Sequence, residues 1–356
     1  MIQTIIEEAF NLKASDVHIN FGQKPYFRID DKIVSAEKYD VCNDEIVLGF
    51  LNEILGSEEM EQLKTKKQID IGIESSKTRC RINIFLQQGH FDLAIRLVDS
   101  NIRTIEELGL TTVLKDIASE NSGLILITGA TGSGKSTTLA AMIDFINTNF
   151  SRNIITIEDP IEFVYKPKGS IVRQREVGRD VQDFSSGLRS MMREDPDVVL
   201  VGEMRDLESI SSAITLAETG HLVLSTLHSR NAAETIDRII DVFPTEQQQQ
   251  IRIQLSDVLT AVITQTLVPK IGGGRVAALE IMRMSIPIRS IIRNGDNTSK
   301  INDEIFFNRD DLGTQTMAQG LGDLIIRKVI EKETALKYCE DKDSLNRVLE
   351  GHYDLI

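Results

Sequence analysis

Long apolar runs are missing from this 356-residue chain. None approaches the roughly 18 residues a helix needs to cross a bilayer, so no transmembrane span is expected. A basic leader is missing too. The first residues, Met1-Ile2-Gln3-Thr4-Ile5-Ile6-Glu7-Glu8, do not read as a secretion signal. Instead Ile2, Ile5, Ile6, Ala9 and Phe10 follow helical spacing. Cysteine is scarce: Cys42, Cys80 and Cys339 are odd in number, far apart and without a C-x-x-C pair. They read as buried or idle thiols in a reducing compartment, with no zinc site, and the cell interior is the expected address. Positive charge is in deficit, with 40 Lys and Arg against 54 Asp and Glu and a net charge of −14. That balance disfavours a protein whose main task is to grip nucleic acid, although a local basic channel can sit within an acidic total. No internal repeat is evident.

What is present is ordinary in amount and specific in place. Hydrophobic residues make up 41% and charged residues 26%, as in soluble globular proteins, and the length allows two domains or one large one. Nine residues, Gly129-Ala130-Thr131-Gly132-Ser133-Gly134-Lys135-Ser136-Thr137, fit the phosphate-binding pattern G-x-x-x-x-G-K-[ST]. They follow Leu124-Ile125-Leu126-Ile127, which reads as a buried parallel strand, and precede a helix start at 138–143. Glycines let the backbone turn its N–H groups inward onto phosphate oxygens, and the helix N-terminus adds a favourable field. Lys135 is expected at the terminal phosphates and Ser136 on Mg²⁺. The chain therefore reads as a nucleoside-triphosphate-binding protein.

Residues 1–97 alternate an opening helix with strand patterns at 17–20, 26–29, 81–85 and 93–98, with Asp30-Asp31 as a hairpin turn. Residues 98–112 read as a linker and 114–117 as a short helix. Buried strands at 124–128, 154–157, 198–201 and 222–226 then alternate with helices, which implies a parallel α/β sheet. A helix is expected over 245–261, with Gln247–Gln250 on its solvated face, and after about Ser285 the chain turns helical to its end.

Three further boxes lie at ends of predicted strands, where an open parallel sheet places its ligand site. In Ile157-Glu158-Asp159-Pro160-Ile161-Glu162, Pro160 forces a turn and leaves the acids near the sheet edge. A carboxylate there can orient or deprotonate a water, and a solvated acidic turn is the alternative. In Val198-Val199-Leu200-Val201-Gly202-Glu203, four apolar residues lead to an acid, the Walker B pattern with Glu203 in the place of the usual Asp. Glu203 is expected to hold Mg²⁺ through water or to polarise the lytic water. The third box holds His221 and His228. Seven extended residues at ~3.3 Å each separate them by up to ~23 Å, so a shared metal is rejected. His228 can sense the terminal phosphate or link it to a neighbouring subunit; a satisfied structural histidine is the alternative for both.

With these boxes in this order, the chain resembles the secretion ATPase superfamily that drives type II secretion and type IV pili. The likeness rests on 129–137, on the acidic box 154–163, on 188–197 running into Glu203-Met204-Arg205-Asp206, and on the histidine box 219–228. Ala14-Ser15-Asp16-Val17-His18 and Gln174-Arg175-Glu176-Val177-Gly178 match as well. Within the superfamily the pilus retraction group is most similar. The N-terminal part is short, a tetracysteine metal motif is absent, and Gly313-Thr314-Gln315-Thr316-Met317 precedes a leucine helix. One departure is Pro287-Ile288-Arg289-Ser290-Ile291-Ile292-Arg293-Asn294, which stands where that group has A-I-R-N-L-I-R-E. The apolar face survives and Arg289 and Arg293 remain one turn apart, but the terminal acid is lost.

The resemblance implies an α/β protein. Its parts are a PAS-like α+β N-terminal domain (1–97), a linker (98–112), a RecA-like P-loop ATPase core (113–285) and a helical C-terminal subdomain (286–356). It implies a homohexameric ATP hydrolase that uses ATP and Mg²⁺. Such a motor works at the cytoplasmic face of the inner membrane on a pilus platform protein, with the extension ATPase as a further partner and no nucleic acid. By motif, Glu162 is the catalytic glutamate of the acidic box and Glu203 that of Walker B. Arg81 and Arg96 are arginines brought over the nucleotide, and the helix bearing Arg289 and Arg293 is the output surface. Rival readings are a pilus-assembly or secretion motor of the same chemistry, a non-catalytic nucleotide-binding ring, and a nucleic acid motor.

Overall fold

Ile2, Ile5, Ile6 and Ala9 form the buried stripe of an amphipathic helix, α1 (Ile2–Asn11). That helix opens the first of two units in the computed structural model, which describes residues 1–29, 32–75, 78–98 and 101–351. One unit is Met1–Ile102 with Pro160–Val164; the other is Arg103–Asp159 with Tyr165–Ile356. The Asp30-Asp31 turn lies outside the described residues.

In the first unit the strands are β1 (Asp16–Ile19), β2 (Tyr26–Ile29), β3 (Lys32–Ser35), β4 (Gln68–Glu74), β5 (Arg79–Gln87) and β6 (His90–Val98). Two helices, α2 (Asp44–Ile54) and α3 (Ser57–Lys66), come between β3 and β4. Among the described residues the sheet is antiparallel, in the order β3-β2-β1-β6-β5-β4. This is the PAS-like α+β layout. Cys80, Ile82 and Ile84 of β5 and Leu93 and Ile95 of β6 turn one face to the core with α1. The period of two leaves Arg81 and Arg96 as paired cross-strand neighbours on the other face. β3 and β4 were not among the expected strands. β3 is mostly exposed, whereas in β4 Ile69, Ile71 and Ile73 alternate with Asp70, Gly72 and Glu74, a period of two that marks a strand with one face inward.

The second unit is built on β7 (Gly123–Thr128), every residue of which is buried. Around it lie β8 (Asn153–Glu158), β9 (Ile171–Glu176), β10 (Val198–Val201), β11 (Leu222–Leu227), β12 (Leu259–Pro269) and β13 (Arg275–Arg283). The order is β13-β12-β7-β11-β10-β8-β9, parallel except for the edge hairpin of β12 and β13. This is the RecA-like core. The helices α4 (Val113–Ala118), α5 (Lys135–Asn149), α6 (Phe184–Met191), α7 (Leu207–Glu218), α8 (Ala232–Asp241) and α9 (Thr245–Val258) connect the strands. Apolar residues of β7, β8, β10 and β11 meet those of α6, α7, α8 and α9 in one core.

The helix expected over 245–261 stops at Val258. Leu259 turns extended (φ −63°, ψ 128°), and the β-branched residues that follow enter β12 instead. That hairpin, and β9, had no counterpart among the predicted strands. Beyond Ser285 come α10 (Ile286–Asn294), α11 (Lys300–Phe307), α12 (Arg309–Leu312), α13 (Met317–Ile326), α14 (Lys332–Tyr338) and α15 (Lys342–Leu349). α13, α14 and α15 enclose a separate small core with Val268 and Ala278.

Candidate active site

The phosphate loop leaves β7 at Thr128 and enters α5 at Lys135. Gly129, Gly132 and Gly134 hold φ values of +138°, +77° and +88°, which side-chain-bearing residues rarely adopt. Among the described residues no side chain caps α5, so its first N–H groups are left for an anion. Beneath the loop, Gln265 of β12 is 2% exposed. Its Nε2 donates to the Ser133 carbonyl (2.7 Å) and its Oε1 accepts from the Thr138 hydroxyl (2.7 Å). A Cβ added at Gly129 would stand 2.3 Å from the Gln265 carbonyl oxygen. The Ser133 hydroxyl is buried and has no partner among the described residues, a donor in place for a phosphate oxygen. The Lys135 ammonium folds back onto the carbonyls of Gly129 (2.8 Å) and Ala130 (3.1 Å).

Glu203 stands two residues beyond β10. Gly202 before it lies so close to the end of β8 that a Cβ would be 3.3 Å from the Glu158 Cα. One Glu203 oxygen is 3.2 Å from His228 Nε2, and the other is 2.8 Å from the Arg205 guanidinium. That ion pair holds the Arg205 guanidinium above its ordinary pKa. His228 Nδ1 lies 3.5 Å from the Lys135 ammonium. An ammonium can only donate, so both contacts are satisfied when Nδ1 accepts and Nε2–H faces Glu203. Lys135, His228, Glu203 and Arg205 thus form a chain of polar contacts at the mouth of the loop, three of them from separate boxes of the sequence. The Thr226 hydroxyl donates to the Gly202 carbonyl (2.7 Å), fixing the histidine box to the Walker B strand.

The other expected site residues are not in this cluster. Glu158 ends β8 buried, accepting from the Thr156 hydroxyl (2.7 Å) and from Gln174 (3.2 Å), which gives 174–178 a bracing part. Glu162 is half-buried in Pro160–Val164, a segment that belongs to the first unit. There the Arg79 guanidinium donates to the neighbouring Ile161 carbonyl (2.5 Å). Arg81 and Arg96 lie on the exposed sheet face of that unit. Arg81 is 3.7 Å from Asp70 and Arg96 is 3.0 Å from Asp16, which is also 3.7 Å from Arg28.

His221 stands at the opposite end of β11 from His228. It is bonded to the Leu216 carbonyl (2.8 Å) and the Thr219 hydroxyl (3.0 Å) at the end of α7. Arg289 and Arg293, expected as an output surface, both reach the end of α9. Arg289 donates to the Ser256 carbonyl and, at 3.1 Å, to the Asp257 carbonyl; Arg293 pairs with the Asp257 carboxylate. Both cations close the C-terminus of α9, where the helix dipole favours positive charge. Gln265 was not foreseen, because a lone Gln in an apolar strand carries no pattern of its own.

A family model described as "Type II/IV secretion system protein" matches residues 1–323. This chain belongs to that family. Among its relatives is the "Type IV pilus retractation ATPase PilT" of Pseudomonas aeruginosa. The two are 44% identical over 330 residues, covering 92% of this chain and 95% of the relative. A "Twitching motility protein" of Neisseria gonorrhoeae is 41% identical, over 85% of this chain and 81% of its own length. The crystal structure of the pilus retraction motor PilT with bound ADP matches at TM-score 0.88 and 43% identity, covering 97% of this chain and 99% of that one. The Legionella pneumophila ATPase DotB matches at TM-score 0.76 and 28% identity, over 94% of both chains. As a member of this family the chain is a P-loop ATPase, with a PAS-like first unit and a RecA-like second one. Among the described residues no helix is long and apolar enough to cross a membrane.

Proposed function

We propose that this chain is a motor ATPase that hydrolyses ATP to drive retraction of a type IV pilus, and hence twitching motility. The chemistry is carried by one observation: Glu203 is held between His228 and Arg205 beside the phosphate-loop lysine. Residues 129–137 bind the polyphosphate through inward N–H groups, with the Ser133 hydroxyl as a further donor. Lys135 exchanges its two carbonyl partners for the terminal phosphates. The Ser136 hydroxyl and the Glu203 carboxylate are hard oxygen donors of the kind Mg²⁺ takes, Glu203 through water. Bound there, the ion supplies neutralisation of charge developing on the phosphates. His228 carries a proton on Nε2 toward Glu203 and turns Nδ1 to Lys135, so a change at the terminal phosphate reaches Glu203 through one imidazole. Glu162 acts as base for the lytic water, and Arg81 and Arg96 supply positive charge to the transition state.

The working form is a homohexamer, in which closure around ATP in some subunits and release in others converts hydrolysis into movement. The motor acts peripherally at the cytoplasmic face of the inner membrane, on a pilus platform protein and beside the extension ATPase. Retraction is supported by 44% identity to the Pseudomonas retraction ATPase along nearly the full length of both chains. The altered helix 287–294, with its arginines committed to α9, favours the second reading, a pilus-assembly or secretion ATPase of the same chemistry.

A count of surface pili in the source cell with and without the protein tests the output. Retraction requires excess pili and lost twitching on deletion. Bald cells make it an assembly motor, and an unchanged count moves it to a secretion system or to a secondary role beside another retraction ATPase.

A further inference from the structure

Glu280 of β13 is a carboxylate 5% exposed, at the wall of a cavity of about 520 Å³ that also opens onto Gly129 and His228. It accepts the N–H of Ala232 (2.7 Å) and the N–H of Met317, the first residues of α8 and α13. Two helix N-termini therefore converge on one buried carboxyl, the arrangement that offsets the cost of burying it. A third arm reaches the phosphate loop: the Thr128 hydroxyl donates to Thr264 (3.0 Å) and the Thr264 hydroxyl to Glu280 (3.4 Å). Thr128 immediately precedes Gly129, and Ala232 follows His228 by four residues.

The segments on either side of the carboxylate are stiff. Arg238 donates to the His228 carbonyl, and the Ser229 and Thr235 hydroxyls are 2.6 Å apart, so the loop 228–231 is tied to α8. On the other side Gln315, just before α13, exchanges backbone bonds with Ile281 (2.7 and 2.9 Å) and donates its amide to the Leu279 carbonyl (2.8 Å). Glu280 is where these two stiff pieces meet. A packing role alone would be served by an apolar residue without the desolvation cost. Burial pushes the Glu280 carboxyl up to about 7, against the lowering effect of the N–H groups it accepts.

We propose that Glu280 is a positioning residue that sets His228 against Lys135 and Glu203, and ties that setting to α13, the first helix of the small C-terminal core. It touches no nucleotide; it acts through the N-terminus of α8. A shift of His228 thereby moves one arm of a clasp whose other arm is α13, and the C-terminal helices feel the state of the site. This rests on the ATPase reading above.

Glu280→Gln tests it. The amide keeps one acceptor but presents N–H to the second helix N-terminus, so one arm opens with little change in volume. The expected result is ATP affinity within about threefold of wild type, with kcat lower by about tenfold or more. Amide exchange should become faster at 316–320, where the amide faces α13, and through the clasp at 229–235, while β7 and β11 are unchanged. An unchanged kcat with unchanged exchange overturns the proposal. So does a parallel loss of affinity, kcat and melting temperature, the signature of a general brace. If that variant does not fold, Thr264→Val opens the third arm alone: a lower kcat at constant KM supports the proposal, and wild-type kcat overturns it. A wild-type protein without turnover would sink the ATPase reading, and the exchange pattern would still decide the clasp.

Discussion

The Glu280 carboxyl makes stability depend on pH in a direction opposite to that of most acidic groups. Its pKa rises from about 4.5 in the unfolded chain to about 7 in the folded one because the side chain is buried. Between those values the folded state keeps a proton that the unfolded chain has released, so stability falls as pH rises and then levels off above about 7. A shift of that size corresponds to about 3 kcal/mol in full, most of it falling between pH 5 and pH 8. Glu280→Gln cannot titrate, so its free energy of unfolding relative to wild type should change by that amount across the interval, with the variant gaining at high pH. Glu340, Asp303, Asp341, Arg230, Arg238 and Arg347 line the same cavity and are common to both proteins, which makes the difference the quantity to follow. Urea unfolding at fixed protein concentration and matched ionic strength, at pH 5, 6.5 and 8, measures it. Parallel curves for the two proteins would refute the reasoning, since they would mean that Glu280 titrates as an exposed carboxylate does.

Three other outcomes follow from the geometry. Gln265→Ala strands the Ser133 carbonyl and the Thr138 hydroxyl, so it should cost about 2–4 kcal/mol in thermal unfolding and raise the KM for ATP. Glu203→Gln removes the charge paired with Arg205 and His228. Phosphate release should fall to background while a fluorescent nucleotide still binds, and turnover by the variant would remove Glu203 from the chemistry. Arg289→Ala uncovers the carbonyls of Ser256 and Asp257 at the end of α9. The melt should drop by about 1–2 kcal/mol with basal ATPase retained, and an unchanged melt would mean that this arginine is free for a partner after all.

Strands of the core could be read from the sequence because they are buried on both faces. β10 is apolar throughout, and β7, β8 and β11 are apolar runs broken only by buried hydroxyl residues or closed by a polar end, with turn residues around them. The strands that escaped notice are those without such a signal. β3 faces solvent, β9 alternates charged and polar residues, and β12 follows a helical pattern without punctuation. Local propensity ran on to 261, whereas pairing of Ala261 with Ile125 of β7 and Arg283 of β13 ended the helix at Val258. Among site residues, Lys135 was visible at a helix start behind a glycine loop, and Glu203 and His228 because each follows the end of an apolar strand. Arg205 follows Glu203 by two residues in the Walker B box, but its pairing with Glu203 depends on the turn after Gly202.

The sequence by itself determined the chemistry. A glycine loop that must adopt positive φ, a lysine and hydroxyl at a helix start, and acids and a histidine at strand ends are local requirements, and local requirements leave local patterns. Tertiary structure alone decided which distant residues hold that chemistry in place. Gln265 lies 132 positions from the carbonyl it supports, and Glu280 lies 48 positions from the N–H it accepts. It also placed Glu162 with the first unit and turned Arg289 and Arg293 onto α9. Such partners are chosen by where the sheet order brings chains together, and no spacing in the sequence records that choice.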